Sequence, residues 1–120
     1  MAGDLNVWHA YENSGERWAQ RFHTVFDRLG AHGLLLLGPF RSNDRPPLEG
    51  CTCGSAACRH VDTFRYQRNP AATPYQNDFM FATNQLESVL ADNGCFACED
   101  DDVWTYSDHR PVVPRFELAR

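Results

Sequence analysis

Apolar and polar positions along this chain repeat with different periods, and each period predicts an element. Trp18, Phe22, Val25, Phe26 and Leu29 are spaced by four, three, one and three residues, which puts them on one stripe of a helix. Ser14 can cap its start by accepting from the first free backbone N–H groups, and Gly30 and Gly33 offer places for it to stop. Residues 34–37 are four consecutive leucines closed off by Gly38-Pro39, the pattern of a strand or segment buried on both faces. From 39 to 50 the chain turns to Arg, Asn, Asp and Pro and reads as a loop. Residues 61–66 alternate, predicting a strand with Phe64 and Tyr66 on one face. After a proline-bearing loop at 69–74, Phe79-Met80-Phe81-Ala82 predicts a buried strand, and 84–90 a short helix with Leu86, Val89 and Leu90 inward. Two further strands are expected at 103–106 and 112–118, flanking Ser107-Asp108-His109, and the acidic run 99–102 is expected to be a solvated loop.

Composition bounds the picture. With 120 residues, 42% of them hydrophobic, the chain has room for one globular domain and not two, and it buries roughly two-thirds of its unfolded surface without needing disulfides. The leucine run falls far short of the roughly 18 apolar residues of a membrane helix, so no membrane partner is expected. No cationic segment followed by an apolar stretch opens the sequence, which makes the cytoplasm the expected location. Sixteen acidic residues against 11 basic ones, all Arg, exclude a broadly cationic surface that coats nucleic acid. Phosphate, if it is handled here, requires a metal ion and a few local arginines, of which Arg65 and Arg68 are the nearest to the chemistry below.

Three short stretches carry that chemistry. Asp4 and Asn6 lie two apart, so at the end of an extended strand both side chains emerge on one face while Leu5 turns inward. A carboxylate there can orient water or a cation, and an amide can donate to a phosphate oxygen, although Gly-Asp-x-Asn is also a turn composition. Asp108 and His109 add a hard oxygen donor and a group that exchanges protons near neutral pH, or a loop in which His109 caps or packs. Asp78, just ahead of the 79–82 strand, can accept from a histidine ring N–H and fix its tautomer.

Taken in order, Gly3-Asp4-Leu5-Asn6-Val7, Asn77-Asp78-Phe79-Met80-Phe81-Ala82 and Ser107-Asp108-His109-Arg110-Pro111-Val112-Val113 resemble motifs of the endonuclease/exonuclease/phosphatase superfamily, the deoxyribonuclease-I-like metal-dependent phosphoesterases. Thr63-Phe64-Arg65 resembles the neighbourhood ahead of the second motif. The resemblance spans nearly the whole chain but only the C-terminal half of the family domain. It implies an α+β fold, half of a four-layer αββα sandwich of mostly antiparallel sheet flanked by helices, with 1–120 a single partial domain and 51–60 a cysteine-rich loop insertion. It also implies phosphodiester hydrolysis on nucleic acid or a small phosphodiester. Asp4, Asn6, Asp78 and His109 would be catalytic, with Asp78 orienting His109. Asp108 and Asp4 would serve Mg²⁺, or Mn²⁺. The family's principal metal ligand, a Glu, belongs to the half this sequence lacks. The sheet that this half would cover is then exposed, inviting the missing half or a second copy of the chain.

Cys51, Cys53, Cys58 and His60 form Cys-x-Cys-x₄-Cys-x-His, four soft ligands within ten residues that could enclose a structural Zn²⁺. Cys95-x-x-Cys98 could complete that shell or form a redox pair, and reduced thiols throughout are equally expected. The alternative to a phosphoesterase is therefore a non-catalytic, zinc-stabilised fragment or interaction domain.

Overall fold

A computed structural model of the chain describes residues 1–5, 17–48, 51, 57–69 and 75–117, with 17–20 described in their backbone alone. Asn6, Cys53 and the Ser14 cap lie outside the described residues. The architecture is α+β: antiparallel sheets with two helices, in the order β1 (Ala2–Asp4), α1 (Arg17–Ala31), β2 (Leu35–Gly38), β3 (Asp78–Ala82), α2 (Asn84–Glu87), β4 (Leu90–Ala97) and β5 (Val112–Phe116).

The alternation along β3 organises everything else. Its residues point by turns to opposite faces of a three-stranded sheet of order β1-β3-β2, antiparallel throughout. Phe79 and Phe81 go to one face, where Phe22, Val25, Phe26 and Leu29 of α1 cover them together with Leu5, Leu34 and Leu36. Phe26 meets Phe79 edge to face at 5.1 Å and Phe81 in a tilted contact at 5.8 Å. Met80 and Ala82 go to the other face and pack with Leu37, Cys95, Leu90, Val112 and Phe116, which brings in β4 and β5. The helical stripe is thus the lid of the first core, and the full burial of Phe79 and of Phe81 is worth about 1.5–3 kcal/mol each.

Helix α1 runs through Gly30 and ends at Ala31, ahead of Gly33. Gly33 adopts φ +74°, its N–H reaches the Gly30 carbonyl at 2.9 Å, and Leu34 N–H returns to Leu29 at 3.0 Å. That pair of bonds closes the last turn around a left-handed residue, where glycine is the residue with least strain.

Several stretches depart from the pattern-based expectations. Residues 90–97 form β4, paired with β5 through an irregularity between Leu90 and Cys95, where Asn93 has φ 51°. Asp92-Asn93-Gly94 is turn chemistry, and the strand absorbs it as a bulge. α2 accordingly stops at Glu87, with Leu86 exposed. Residues 101–105 are a 3₁₀ helix rather than a strand, started by the Asp100 side chain accepting from Asp102 N–H at 2.9 Å. Residues 61–66 make no strand either. Only Phe64 bridges, to Tyr75 on one side and to His109 on the other.

Candidate functional site

That double bridge builds the site. Phe64 exchanges backbone hydrogen bonds with Tyr75, both at 2.9 Å. On the other side, Arg65 N–H donates to Asp108 at 2.9 Å and Arg110 N–H to Thr63 at 2.8 Å. The 63–65 segment therefore lies between the lead into β3 and the 108–110 bend, and it draws Asp78 and His109 together across 31 positions of sequence. Thr63 is fully buried, and its Oγ1 accepts from both Asn77 N–H and Asp78 N–H at 2.9 Å, which sets the mouth of β3. Ser107 Oγ accepts from His109 N–H at 3.0 Å and shapes the bend.

Asp4 and Asp78 are directly opposed across the β1–β3 pair. Like charges in that position repel. The His109 imidazole lies against both: Nδ1 is 2.8 Å from Asp78 Oδ2, a hydrogen bond, and Nε2 is 3.9 Å from Asp4 Oδ2, an ionic approach without one. Donation of Nδ1–H to Asp78 fixes the tautomer that leaves Nε2 as the proton-handling atom. Burial pulls the His109 pKa down, but the Asp78 hydrogen bond and charge, with the charges of Asp4 and Asp108, outweigh it and leave the pKa above its ordinary value. The Phe64 ring, 4.9 Å from the imidazole, shields one side of it.

Of the residues singled out in the sequence, Asp4, Asp78 and His109 thus stand together. Asp108 joins them through its charge on His109 and its carbonyl on Arg65. Arg65 faces Asp62 at 3.5 Å, and its guanidinium, like that of Arg110, stacks on Trp104, at 4.6 and 4.7 Å. Arg110 also pairs with Asp101 at 2.5 Å, so part of the acidic run is engaged. Thr63 and Phe64 are positioning residues that the pattern hid, because their backbone bonds, to Tyr75 and Arg110, form isolated bridges rather than a ladder.

A second cluster lies apart from this one. Cys51 Sγ is 3.3 Å from His60 Nδ1 and 3.5 Å from Cys58 Sγ, and Cys58 Sγ is 3.5 Å from the same ring nitrogen. Cys58 and His60 are buried. This group could hold a metal ion, and among the described residues it is the one set of three or more such side chains with ligand atoms mutually within 4.8 Å. Cys95 does not join it. It sits in the second core, where burial pushes its thiol up to about 11, the behaviour of an inert packing residue rather than a redox nucleophile. Cys95 and Cys98 are not bonded to each other.

No helix among the described residues is long and apolar enough to cross a membrane. Comparisons with protein-family models, with curated proteins and with solved structures find no match to the chain.

Proposed function

We propose that this chain is the C-terminal half of a phosphoesterase of the endonuclease/exonuclease/phosphatase type, one side of a four-layer αββα sandwich. Its substrate is a phosphodiester, nucleic acid included. The observation that carries the reading is the Asp78–His109–Asp4 arrangement, with 2.8 Å on Nδ1 and 3.9 Å on Nε2, delivered by three separate elements.

In this reading Asp78 holds the imidazole in one orientation and offsets its positive charge. His109 then takes or gives a proton at Nε2, on the side where Asp4 stands. Asn6, outside the described residues, would donate to the phosphate. Mg²⁺, or Mn²⁺, would lie with Asp4 and Asp108 and act as a Lewis acid on the phosphoryl oxygen. One or two carboxylates suffice for Mg²⁺ when waters and phosphate supply the remaining oxygens. The described residues gather no three hard donors at this point, so a full cage needs donors from elsewhere.

The test is Mg²⁺-dependent hydrolysis of bis(4-nitrophenyl) phosphate by the chain, alone and mixed with a polypeptide carrying the complementary half. Cleavage that falls roughly 10²–10⁴-fold in His109→Ala, the usual worth of general acid–base catalysis, is the expected result. No Mg²⁺-dependent cleavage in either setting, or equal rates for the variant, sinks the reading. That outcome would favour a non-catalytic domain, the second reading, which the scarcity of hard donors supports.

A further inference from the structure

We infer that Cys51, Cys58 and His60 bind one Zn²⁺ through two thiolates and the Nδ1 of the imidazole, and that this ion staples a loop with almost no core of its own. Zinc–ligand bonds of about 2.3 Å to sulfur and about 2.0–2.1 Å to nitrogen make tetrahedral edges of about 3.8 Å between two sulfurs and about 3.6 Å between sulfur and nitrogen. The observed edges, 3.5 Å, 3.3 Å and 3.5 Å, match after shifts of a few tenths of an ångström. A disulfide would require a sulfur separation near 2.05 Å, so Cys51 and Cys58 at 3.5 Å are not bonded to each other. Two sulfurs and one imidazole nitrogen form a soft donor set, which suits zinc and not a hard cation.

The surroundings give the ion a purpose. Between Pro39 and Cys51 the described chain is mostly polar, with 43–47 exposed and Phe40 and Leu48 its only partly buried apolar side chains among the described residues. Such a stretch cannot offset its ordering entropy by apolar burial and needs a cross-link. The cluster is fixed from outside as well. The Arg41 guanidinium donates to the Cys58 carbonyl from Nε at 2.9 Å and from Nη2 at 2.6 Å. Immediately after His60, Val61 N–H donates to Gln76 Oε1 at 3.1 Å, and Gln76 Nε2 donates to the Pro39 carbonyl at 2.9 Å. The ion thus closes a loop whose far end is bonded to the lead into β3. The fourth corner takes a water or a further thiolate. Neither the ion nor its test depends on phosphodiester cleavage.

The full chain, stripped of metal under reducing conditions and titrated with Co²⁺, reads the donor set directly. The expected spectrum has sulfur-to-cobalt charge-transfer absorption in the near ultraviolet and intense tetrahedral visible bands, saturating at one equivalent and displaced by Zn²⁺. Cys58→Ser weakens the charge-transfer band, and His60→Cys, which restores a soft ligand, keeps tetrahedral binding. A titration of the unmutated chain that gives only weak octahedral bands with no sulfur charge transfer overturns the inference, whatever the variants do.

Discussion

Thr63→Val tests how the site is held. The substitution keeps shape and volume and deletes the one oxygen that accepts from both Asn77 N–H and Asp78 N–H. Thr63 is fully buried, so water does not replace that acceptor easily. An unsatisfied buried N–H costs about 1–3 kcal/mol, and the Asp78 group is only partly buried, so the pair together is worth about 2–4 kcal/mol. A native domain has only about 5–15 kcal/mol in total, so this is a large share. At about 3–5 °C per kcal/mol for a chain of this length, Tm falls by roughly 10 °C. Thr63→Ser retains the hydroxyl and loses a methyl, costing about 1 kcal/mol. Urea unfolding followed by circular dichroism measures all three proteins, and amide NMR shifts of Asn77 and Asp78 report whether the mouth of β3 moves. A Val variant within about 0.5 kcal/mol of the parent, the range of an inconsequential substitution, refutes the reasoning. So does a Ser variant as damaging as Val.

Two further measurements probe other parts of the fold. An NMR titration of the metal-free chain should place the His109 midpoint above 6.5, and Asp78→Asn should lower it; a midpoint at or below 6.5, or one unmoved by the variant, contradicts the charge arrangement. Because the folded pKa lies above the unfolded one, the protonated ring contributes its stability in full below the unfolded value, and that contribution is lost as pH rises through the folded value. Gly94→Ala should destabilise by about 1–3 kcal/mol, as overpacking does. A Cβ there would lie 2.7 Å from the Arg115 carbonyl oxygen and closer still to that of Ala91, both backbone atoms beside the irregular stretch of the β4–β5 pair. Thermal unfolding indistinguishable from the parent would show that the bulge can relax.

Periodicity made the first core readable. The Phe22, Val25, Phe26 and Leu29 stripe and the alternation at Phe79 and Phe81 are strong, local signals, and each is explained by the other across the α1–sheet contact. Where the structure departs from pattern, side chains compete with the ladder. Val103 and Trp104 have strand propensity, yet the Asp100 carboxylate caps a 3₁₀ turn and wins. Asp92-Asn93-Gly94 has turn composition, yet pairing with β5 holds it as a bulged strand. Residues 61–66 alternate like a strand but spend their bonds on the Gln76 side chain, Tyr75 and Asp108. The chemistry-bearing residues were visible as types. What brings Asp78 to His109 is a single bridging residue, Phe64, and spacing along a chain does not encode that.

The two carboxylates beside His109 hang from strands of unequal standing. Asp78 opens β3, the central strand, hydrogen-bonded on both sides, whereas Asp4 ends β1, three residues long and paired on one side among the described residues. Local opening free energies run from near zero in short edge elements up to the global value in central strands. Amides of β1 therefore exchange ahead of those of β3, and Asp4 departs in openings that leave the Nδ1–Asp78 hydrogen bond standing. With β1 docked the imidazole has a carboxylate on each side, and with β1 open it keeps Asp78 alone. The proton affinity of His109 becomes a gauge of how firmly β1 is docked.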